Sequence, residues 1–344
     1  MRKRATLKDI AKALNISITT VSRALNDKAD ISPETKKAVL DVARILDYKP
    51  NAIAVSLRKN TPTKIIGVIL PSVDHYFFST ILKGIMTSAH LSDYMVMIGE
   101  SNQDYKKEIA IIEQFADHLV SGVIFAPSRN PESFENSKLL EKRNLPYIII
   151  DRKFENFGGS YVQHDNFSGA YAAVSHLIAQ GYKKIGHIRG HEECSISNER
   201  YRGFEQALED HGLNRYDNLI KKSMNFTKED GTQLCRIMYS DQNNKPDAIF
   251  AVTDSVASGV YEYAQQNNIS IPDELGIVGY SNSEVSQILH PKLSSIEQNG
   301  NDMGRTAFNF LREQLKNKNS IFQKTFSTKL LIRESSVIKN ALGN

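Results

Sequence analysis

The chain has 344 residues, of which 40% are hydrophobic and 24% charged, so it has room for two or three domains with a sizeable core. No apolar run approaches the length of a membrane-spanning helix, and no apolar segment follows the basic N-terminus; we expect neither a membrane anchor nor a secretory signal. Cys194 and Cys235 form no metal or redox motif, which favours a cytoplasmic protein with two inert core thiols.

Positive charge is concentrated near the N-terminus. Residues 1–60 contain 13 Lys and Arg against 6 Asp and Glu, whereas the rest of the chain contains 30 against 33. A basic segment joined to a nearly neutral body indicates a polyanionic partner for the basic segment alone.

Two short amphipathic helices are predicted between Thr6 and Asn26, separated by a break at Asn15 of the length that a helix-turn-helix uses. Apolar residues line one face of both helices: Ile10, Ala11, Leu14, Val21 and Leu25. Thr6 is the expected N-cap of the first helix, with Asp9 as its acidic partner, and Ser17 is the expected cap of the second.

The outward face of the second helix is short and polar. Its predicted residues are Ile18, Thr19, Ser22, Arg23 and Asn26. Side chains of this kind suit a helix in the DNA major groove, although the hydrophobic pattern alone is equally compatible with an ordinary helical hairpin.

Two flanking features favour DNA binding over a simple hairpin. Residues 1–4 form a basic arm, and a third helix is predicted to begin at Ser32-Pro33 and to run to about Asp47. Three short helices in about fifty residues, basic at one end, indicate a small DNA-binding head.

The segments TLKDIAKALNISITTVSRALND and ISPETKKAVLDVARILDYKPNAIAVSLR, within residues 6–58, resemble the head and hinge of the LacI/GalR (lactose/galactose repressor) family of bacterial transcription regulators. The VSRALN and YKPNAIAxSLR segments together are far more specific than a general helix-turn-helix pattern. The resemblance implies a helix-turn-helix DNA-binding domain over residues 1–47 and a hinge helix with linker over residues 48–61.

The resemblance also implies further DNA contacts. In the family the hinge becomes helical on DNA, pairs with its dimer mate and inserts a leucine into the minor groove; Leu57 matches that leucine. Other matching positions are Thr6, Ser17, Thr20, Tyr48, Asn51 and Ala54. Val55 stands where many relatives carry Lys or Arg, so one phosphate contact of the family is missing.

Beyond Pro62, short β-branched runs alternate with amphipathic helices. Strands are predicted to begin at Ile65, Tyr94, Gly122, Tyr147, Tyr161, Lys184, Ala248, Glu274, Leu293 and Lys329. The helices between them include residues 79–92, 104–119, 168–180 and 255–267. This alternation indicates parallel sheets with helices on both faces, and about 280 residues favour two such sheets.

The expected fold is therefore a small all-α helix-turn-helix head followed by an α/β body that resembles periplasmic sugar-binding proteins, with two doubly wound parallel-sheet subdomains. In that fold the chain crosses between subdomains, here near Gln163, His290 and Thr328. The effector-binding and dimerisation domain covers residues 62–344. Its N-subdomain covers residues 62–162 plus 291–327, and its C-subdomain covers residues 163–290 plus 328–344.

Ligands of open α/β sheets bind beyond the carboxyl ends of the strands. Aromatic, charged and amide side chains follow many of the predicted strands, a combination that suits a saccharide. The resemblance implies effector contacts from eight of these residues: Phe77, Phe78, Asp151, Arg200, Phe226, Thr253, Ser281 and Gln298. Phe77 and Phe78 are also compatible with the core, and Asp165 and Asp254 with helix caps or struts.

Two of these positions depart from the pattern of sugar-binding relatives. Those relatives often carry Asp where this chain has Ser281, and Asn where it has Thr253. The resulting site is expected to be roomier and less charged, so the particular sugar does not carry over from the family.

Enzyme motifs are missing: the sequence contains no GxGxxG, Walker loop, GxSxG or HExxH. We expect no catalytic residues, no metal and no cofactor. The predicted function is that of a homodimeric transcriptional repressor that binds a palindromic operator. It is expected to respond to a small-molecule effector, and the expected class of effector is a carbohydrate. The alternative is a non-regulatory periplasmic-type sugar-binding receptor. Induction, corepression and activation remain open, as does the need for a corepressor protein.

Overall fold

The computed structural model describes residues 5–49, 63–154, 157–241 and 244–338. The chain divides into two compact units, Met1–Thr63 and Lys64–Asn344. We call the first unit the head and the second unit the body, and each is described by itself.

The head contains three helices, which are α1 Leu7–Leu14, α2 Ile18–Leu25 and α3 Pro33–Ile45. At the start of α1 the backbone N–H of Thr6 donates to the Asp9 carboxylate at 2.8 Å. Ser17 and Ser32 each accept a hydrogen bond from the backbone amide three residues later, at 3.0 and 3.2 Å. The predicted caps of α1 and α2 are thus confirmed, because these side chains satisfy amides that have no partner within the helix.

A small apolar core joins the three helices. Its buried members are Ile10, Ala11, Val21, Ala24, Val39 and Ala43. Leu14, Leu25 and Tyr48 pack against it and are partly buried. Helix α3 ends at Ile45, slightly before the expected end at Asp47, because Asp47 has a φ of +47°, which a right-handed helix cannot continue.

The body contains twelve strands within the described residues. They are β1 Ile65–Leu70, β2 Met95–Glu100, β3 Gly122–Phe125, β4 Tyr147–Ile150, β5 Tyr161–His164, β6 Ile185–Arg189, β7 Ile220–Lys222, β8 Ala248–Ala251, β9 Gly276–Tyr280, β10 Ser294–Glu297, β11 Gln323–Phe326 and β12 Lys329–Leu331. Its helices are α4 Tyr76–Leu91, α5 Tyr105–Asp117, α6 Glu135–Lys142, α7 Asn166–Ala179, α8 Ser195–Asp210, α9 Lys228–Met238, α10 Asp254–Gln266, α11 Glu284–Ile288 and α12 Gly300–Lys316. Short 3-10 turns lie at Pro131–Phe134, Asp217–Leu219 and Glu334–Ser336.

The strands form two six-stranded sheets, with the orders β11-β5-β4-β3-β1-β2 and β12-β10-β9-β8-β6-β7. Neighbouring strands are parallel, except that β12 runs antiparallel to β10. We call each sheet with its packed helices a lobe. In the first lobe Val68 packs with α4 and α12 while Ile69 packs with α5, so helices cover both faces of the sheet, as predicted.

Strands β7 and β11 were not predicted from the sequence. Each lies at an edge of its sheet, and their residues are half-buried or exposed. A polar edge strand carries no buried apolar run, so the pattern that reveals the central strands is missing from it.

The chain passes between the lobes three times, after His164, after Glu297 and between Phe326 and Lys329. The second passage was expected near His290, which is wrong. Strand β10 pairs in parallel with β9, so residues 291–297 belong to the second lobe. The side chains of β10 explain this placement: the Ser295 hydroxyl donates to Asp254 at 2.6 Å and the Ser294 hydroxyl donates to the Arg333 carbonyl at 3.0 Å.

Helices α9 and α10 approach so closely that only glycine fits at their contact. A Cβ atom on Gly259 would lie 1.9 Å from the Lys228 carbonyl oxygen.

We expect Gly259→Ala to lower the free energy of unfolding by about 1–3 kcal/mol, because one helix must shift to relieve the overlap. Urea unfolding measures the change, with Gly158→Ala as control because a Cβ there meets nothing within 4 Å. Equal effects of the two substitutions would contradict this account.

Candidate functional site

A cavity of about 290 Å³ lies in the body, between the carboxyl ends of the two sheets. All eight residues predicted as effector contacts line it: Phe77, Phe78, Asp151, Arg200, Phe226, Thr253, Ser281 and Gln298. The two lobes thus bring together side chains that are more than two hundred residues apart in the sequence, as Phe77 and Gln298 are. We call this space the central cavity.

Arg200 on α8 is buried, with 3% of its surface exposed, and is fixed on several sides. Its guanidinium donates to Asn166 Oδ1 at 3.0 Å, to the Val252 carbonyl at 2.7 Å and to Gln298 Oε1 at 3.5 Å. The guanidinium carbon also lies 3.5 Å from the centre of the Tyr280 ring. These neutral partners hold the cation in place without cancelling its charge.

Gln298 follows β10 and offers an unused donor. Its Oε1 accepts from the Ser281 hydroxyl at 3.0 Å, in addition to the contact with Arg200. Its buried Nε2 has no hydrogen-bond partner among the described residues. An unpaired buried amide is costly, so Nε2 is a natural donor to a ligand oxygen in the central cavity. Ser281 reaches this position at a φ of +104°.

Asp151 places a carboxylate at the end of β4. The residue has a φ of +66° and is 4% exposed, and its Oδ2 lies 3.6 Å from Arg152 Nε. Burial raises the pKa of the Asp151 carboxyl, whereas the charges of Arg152 and Arg200 oppose this rise. The carboxylate can accept hydrogen bonds from ligand hydroxyls.

Aromatic rings form part of the wall of the central cavity. Phe77 and Phe78 are each 4% exposed and belong to the core of the first lobe, so the core interpretation is confirmed; they also line the cavity, and their contact with an effector stays a prediction. Phe226, in the second lobe, has a φ of +60°. Thr253 caps α10, since its hydroxyl accepts from the Val256 amide at 3.3 Å, and the same residue lines the cavity.

Sequence reasoning missed several lining residues, among them Ser72, Asn102, Gln103, Arg129 and Ser197. Asn102 and Gln103 follow β2, and Arg129 follows β3. The rule that ligands bind beyond strand ends is therefore the signal that points to these three residues.

Asp165 and Asp254 are structural, as the alternative interpretation held. Asp165 caps α7 by accepting from the Ser168 amide at 2.9 Å. Asp254 accepts from the Ser295 hydroxyl and from the Ser283 amide, both at 2.6 Å. It thereby ties the start of α10 to β10 and to the loop after β9.

Asp254 leads to a prediction about pH. Burial raises the pKa of this carboxyl from 3.8 to about 6, although hydrogen bonds from Ser295 and Ser283 oppose the shift. Between these pH values the folded chain holds a proton that the unfolded chain has released, so this group makes stability fall as the pH rises.

We therefore compare Asp254→Asn, which cannot titrate, with the wild type. From about pH 4 to pH 6, the wild type should lose up to roughly 3 kcal/mol of unfolding free energy relative to the variant. Urea unfolding at several pH values measures how steeply the free energy of unfolding changes with pH in each protein. This comparison does not depend on any constant difference in stability that the loss of the carboxylate causes. Parallel curves for the two proteins would show that Asp254 does not titrate in this range.

The head exposes the predicted outward face of α2. Ile18, Thr19, Arg23 and Asn26 are exposed, and Ser22 is half-buried. Among the other predicted DNA contacts, Thr6 and Ser17 are exposed, while Thr20 and Tyr48 are half-buried. Arg23 forms an ion pair with Asp30 at 2.5 Å. Asn51, Ala54 and Leu57 lie outside the described residues.

Within residues 5–49, 63–154, 157–241 and 244–338, no three His, Cys, Asp or Glu side chains are grouped so that they could hold a metal ion. No helix in the same residues is both long and apolar enough to span a bilayer. Cys194 and Cys235 are buried and unpaired, and burial raises the pKa of the Cys235 thiol.

Comparisons with known proteins agree with this architecture. Residues 6–51 match the family of bacterial regulatory proteins, lacI family, and residues 174–336 match the periplasmic binding protein-like domain. The chain is 30% identical to the NTD biosynthesis operon regulator NtdR of Bacillus subtilis, over 96% of this chain and 99% of that protein. It is also 30% identical to the ribose operon repressor of Halalkalibacterium halodurans, over 96% and 97%. A crystal structure of the Lac repressor dimer bound to operator and the anti-inducer ONPF superposes with a TM-score of 0.83 at 20% identity, covering 98% of this chain and 100% of that chain.

Proposed function

Since the chain belongs to the lacI family of bacterial regulatory proteins, we propose that it is a transcriptional repressor that binds operator DNA through its head and a small-molecule effector in its central cavity. One observation carries the proposal. A single chain joins a helix-turn-helix with an exposed polar face to a separate unit in which two sheets enclose a cavity with an unpaired amide donor.

The repressor acts as a homodimer on a near-palindromic operator in the cytoplasm. One head offers few contacts to phosphates and bases, so useful affinity requires two heads on one duplex. The proposed DNA contacts on α2 are those that the sequence predicted, with Arg23 as the only cation among its outward side chains.

The proposed effector is a carbohydrate of about monosaccharide size. A cavity of about 290 Å³ is at the small end of ligand sites, which span roughly 300–1,000 Å³. Phenylalanine rings can cover the CH faces of a sugar, while Asp151, Arg200 and Gln298 bind its hydroxyls. The similarity to a ribose operon repressor supports the same class.

The effector must act by binding two conformations of the body with different affinities, because only differential affinity shifts an equilibrium. Its contacts come from both lobes, so a change in the angle between the lobes changes how many of them it makes. By linkage, operator DNA alters effector affinity by the same factor as the effector alters operator affinity.

Fluorescence anisotropy of the full chain with inverted-repeat duplexes, with and without sugars, tests the proposal. We expect operator binding that a sugar changes by about 5- to 150-fold, the usual range of allosteric coupling. Thermal shifts with the same sugars report binding to the folded body. A chain that binds sugar but no duplex would instead be the non-regulatory receptor, and stabilisation by purines alone would exclude a carbohydrate effector.

A further inference from the structure

The central cavity carries more positive charge than a neutral sugar requires. Resting on the proposed function, we propose that the effector bears an anionic group, a phosphate ester or a carboxylate, which lies between the guanidinium groups of Arg129 and Arg152. The proposed effector is then a negatively charged derivative of a sugar rather than a neutral sugar.

Most of the ionisable side chains that line the cavity are cationic. Three are arginines, Arg129, Arg152 and Arg200, and Asp151 is the one carboxylate among the lining residues that the structure describes. His75 also lines the cavity, but burial lowers its pKa to about 4, with smaller contributions from Arg152 and Arg200, so it is neutral near pH 7. The lining thus has an excess of two positive charges at neutral pH.

Gln103 connects the segments that carry two of these arginines. Its Oε1 accepts from Arg152 Nη1 at 3.0 Å and from the backbone amide of Arg129 at 3.1 Å. Arg152 also donates to the Pro127 carbonyl at 3.0 Å. The segments after β2, β3 and β4 are therefore joined at one oxygen, which binds the guanidinium of Arg152 and the backbone of Arg129.

Arg129 has no carboxylate within 4 Å among the described residues. Its guanidinium lies over the Phe226 ring at 5.5 Å, and its Nη1 donates to the Met224 carbonyl at 2.5 Å, so it reaches from the first lobe to the second. Burial, and then the charge of Arg152, lower the pKa of Arg129, whereas the charge of Glu193 opposes this shift. A half-buried cation beside a second cation is stabilised when an anion enters the space between them.

A purely structural role for Arg129 is the competing explanation. A strap between the lobes would need only the bond to the Met224 carbonyl, and it would predict a loss of stability without any change in ligand preference. An anion site predicts the opposite, because guanidinium groups bind phosphate and carboxylate through paired N–H donors. The two explanations therefore differ in a measurable way.

Isothermal titration of the full chain with matched neutral and charged probes tests the proposal. The probes are D-ribose and D-ribose 5-phosphate, D-glucose and D-glucose 6-phosphate, D-gluconate, and inorganic phosphate, all at constant ionic strength. We expect at least one charged sugar to bind about 10-fold or more tightly than its neutral counterpart. Phosphorylated sugars alone would assign the anion as phosphate, and gluconate alone as carboxylate.

Arg129→Gln should weaken binding of the preferred charged sugar by roughly 10- to 100-fold and leave its neutral counterpart within about twofold, because charge-assisted hydrogen bonds are lost. Arg129→Lys should retain part of the preference. Arg236→Gln, which removes an exposed arginine on α9, should change neither value. Melting temperatures of the unliganded variants verify that each is folded.

Any of three results would overturn the anion site: equal affinity for neutral and charged sugars, failure of every charged probe to bind, or an unchanged preference for the charged sugar in Arg129→Gln. These results leave the proposed function intact if a neutral sugar still changes operator affinity. Loss of the operator response to every sugar, with charged sugars still bound through Arg129, would instead contradict the proposed function while supporting the anion site.

Discussion

Arg200→Ala is expected to abolish the response to effector and to destabilise the body by roughly 2–4 kcal/mol. The substitution removes the donor to the Val252 carbonyl, to Asn166 and to Gln298, and it uncovers the Tyr280 ring. Each buried polar group that loses its partner costs about 1–3 kcal/mol. Effector affinity should fall at least about 100-fold, because both a charged contact and the position of Gln298 are lost.

Operator affinity of the folded variant should stay close to that of the wild type, because Arg200 belongs to the body and the predicted DNA contacts belong to the head. Urea unfolding gives the stability, and anisotropy with and without effector gives the coupling. Arg202→Ala is the matched control, since Arg202 is an exposed neighbour on the same helix. Arg200→Lys should also lose the response, because an ammonium group cannot reproduce the stacked, branched guanidinium. A folded Arg200→Ala protein that still responds to effector would remove Arg200 from the binding site.

Arg23→Ala is expected to weaken operator binding by roughly 10- to 100-fold, the cost of losing one good base or phosphate contact. In the unbound head Arg23 pairs with Asp30, and each side chain is about half exposed. The hydrogen bond from Arg23 lowers the pKa of Asp30. An aspartate is charged at neutral pH even without this bond, so the carboxylate stays beside the DNA face when the arginine is removed. Loss of an exposed ion pair changes stability little, so the variant should remain folded.

The ion pair also predicts that Asp30→Asn tightens operator binding. In this variant Arg23 no longer has to break an ion pair before it can contact DNA. Anisotropy titrations at several salt concentrations measure both variants, with Arg44→Ala on α3 as the control. If Arg23 contacts a base, Arg23→Ala should relax specificity at one operator position. If Arg23 contacts a phosphate, the variant should bind DNA with a salt dependence that is lower by about one ion. Unchanged affinity in Arg23→Ala would exclude it from the DNA interface.

The elements with strong local signals were predictable from the sequence. Ser17 marks the start of α2 because few residues can satisfy the free amides of a helix start, and the buried strands appear as β-branched runs. Strands β7 and β11 gave no such signal, since their edge positions leave polar residues exposed. The second passage between the lobes was misplaced because the polar strand β10 is fixed by bonds to distant residues, such as Asp254, that no local pattern reveals.

The central cavity was predictable in part. Strand ends and the family resemblance led to eight residues that the structure brings to one cavity, although their role as effector contacts stays a prediction. The cluster of Gln103, Arg129 and Arg152 was not foreseen. Gln103 and Arg152 are 49 residues apart, and only the parallel pairing of β1 with β2 and β3, and of β3 with β4, brings their strand ends together.

The threefold passage of the chain between its lobes restricts how chimaeric regulators can be assembled from this protein. A donor head can be grafted through a single junction near Thr63, whereas a donor lobe needs compatible junctions at His164, Glu297 and Phe326 simultaneously. A hybrid that joins two parent proteins at only one of these junctions would contain β11 or β12 from one parent in a sheet whose other strands come from the second parent. Recombination of sensing with DNA specificity should therefore succeed by exchanging complete bodies, and libraries of half-body hybrids should contain few soluble members.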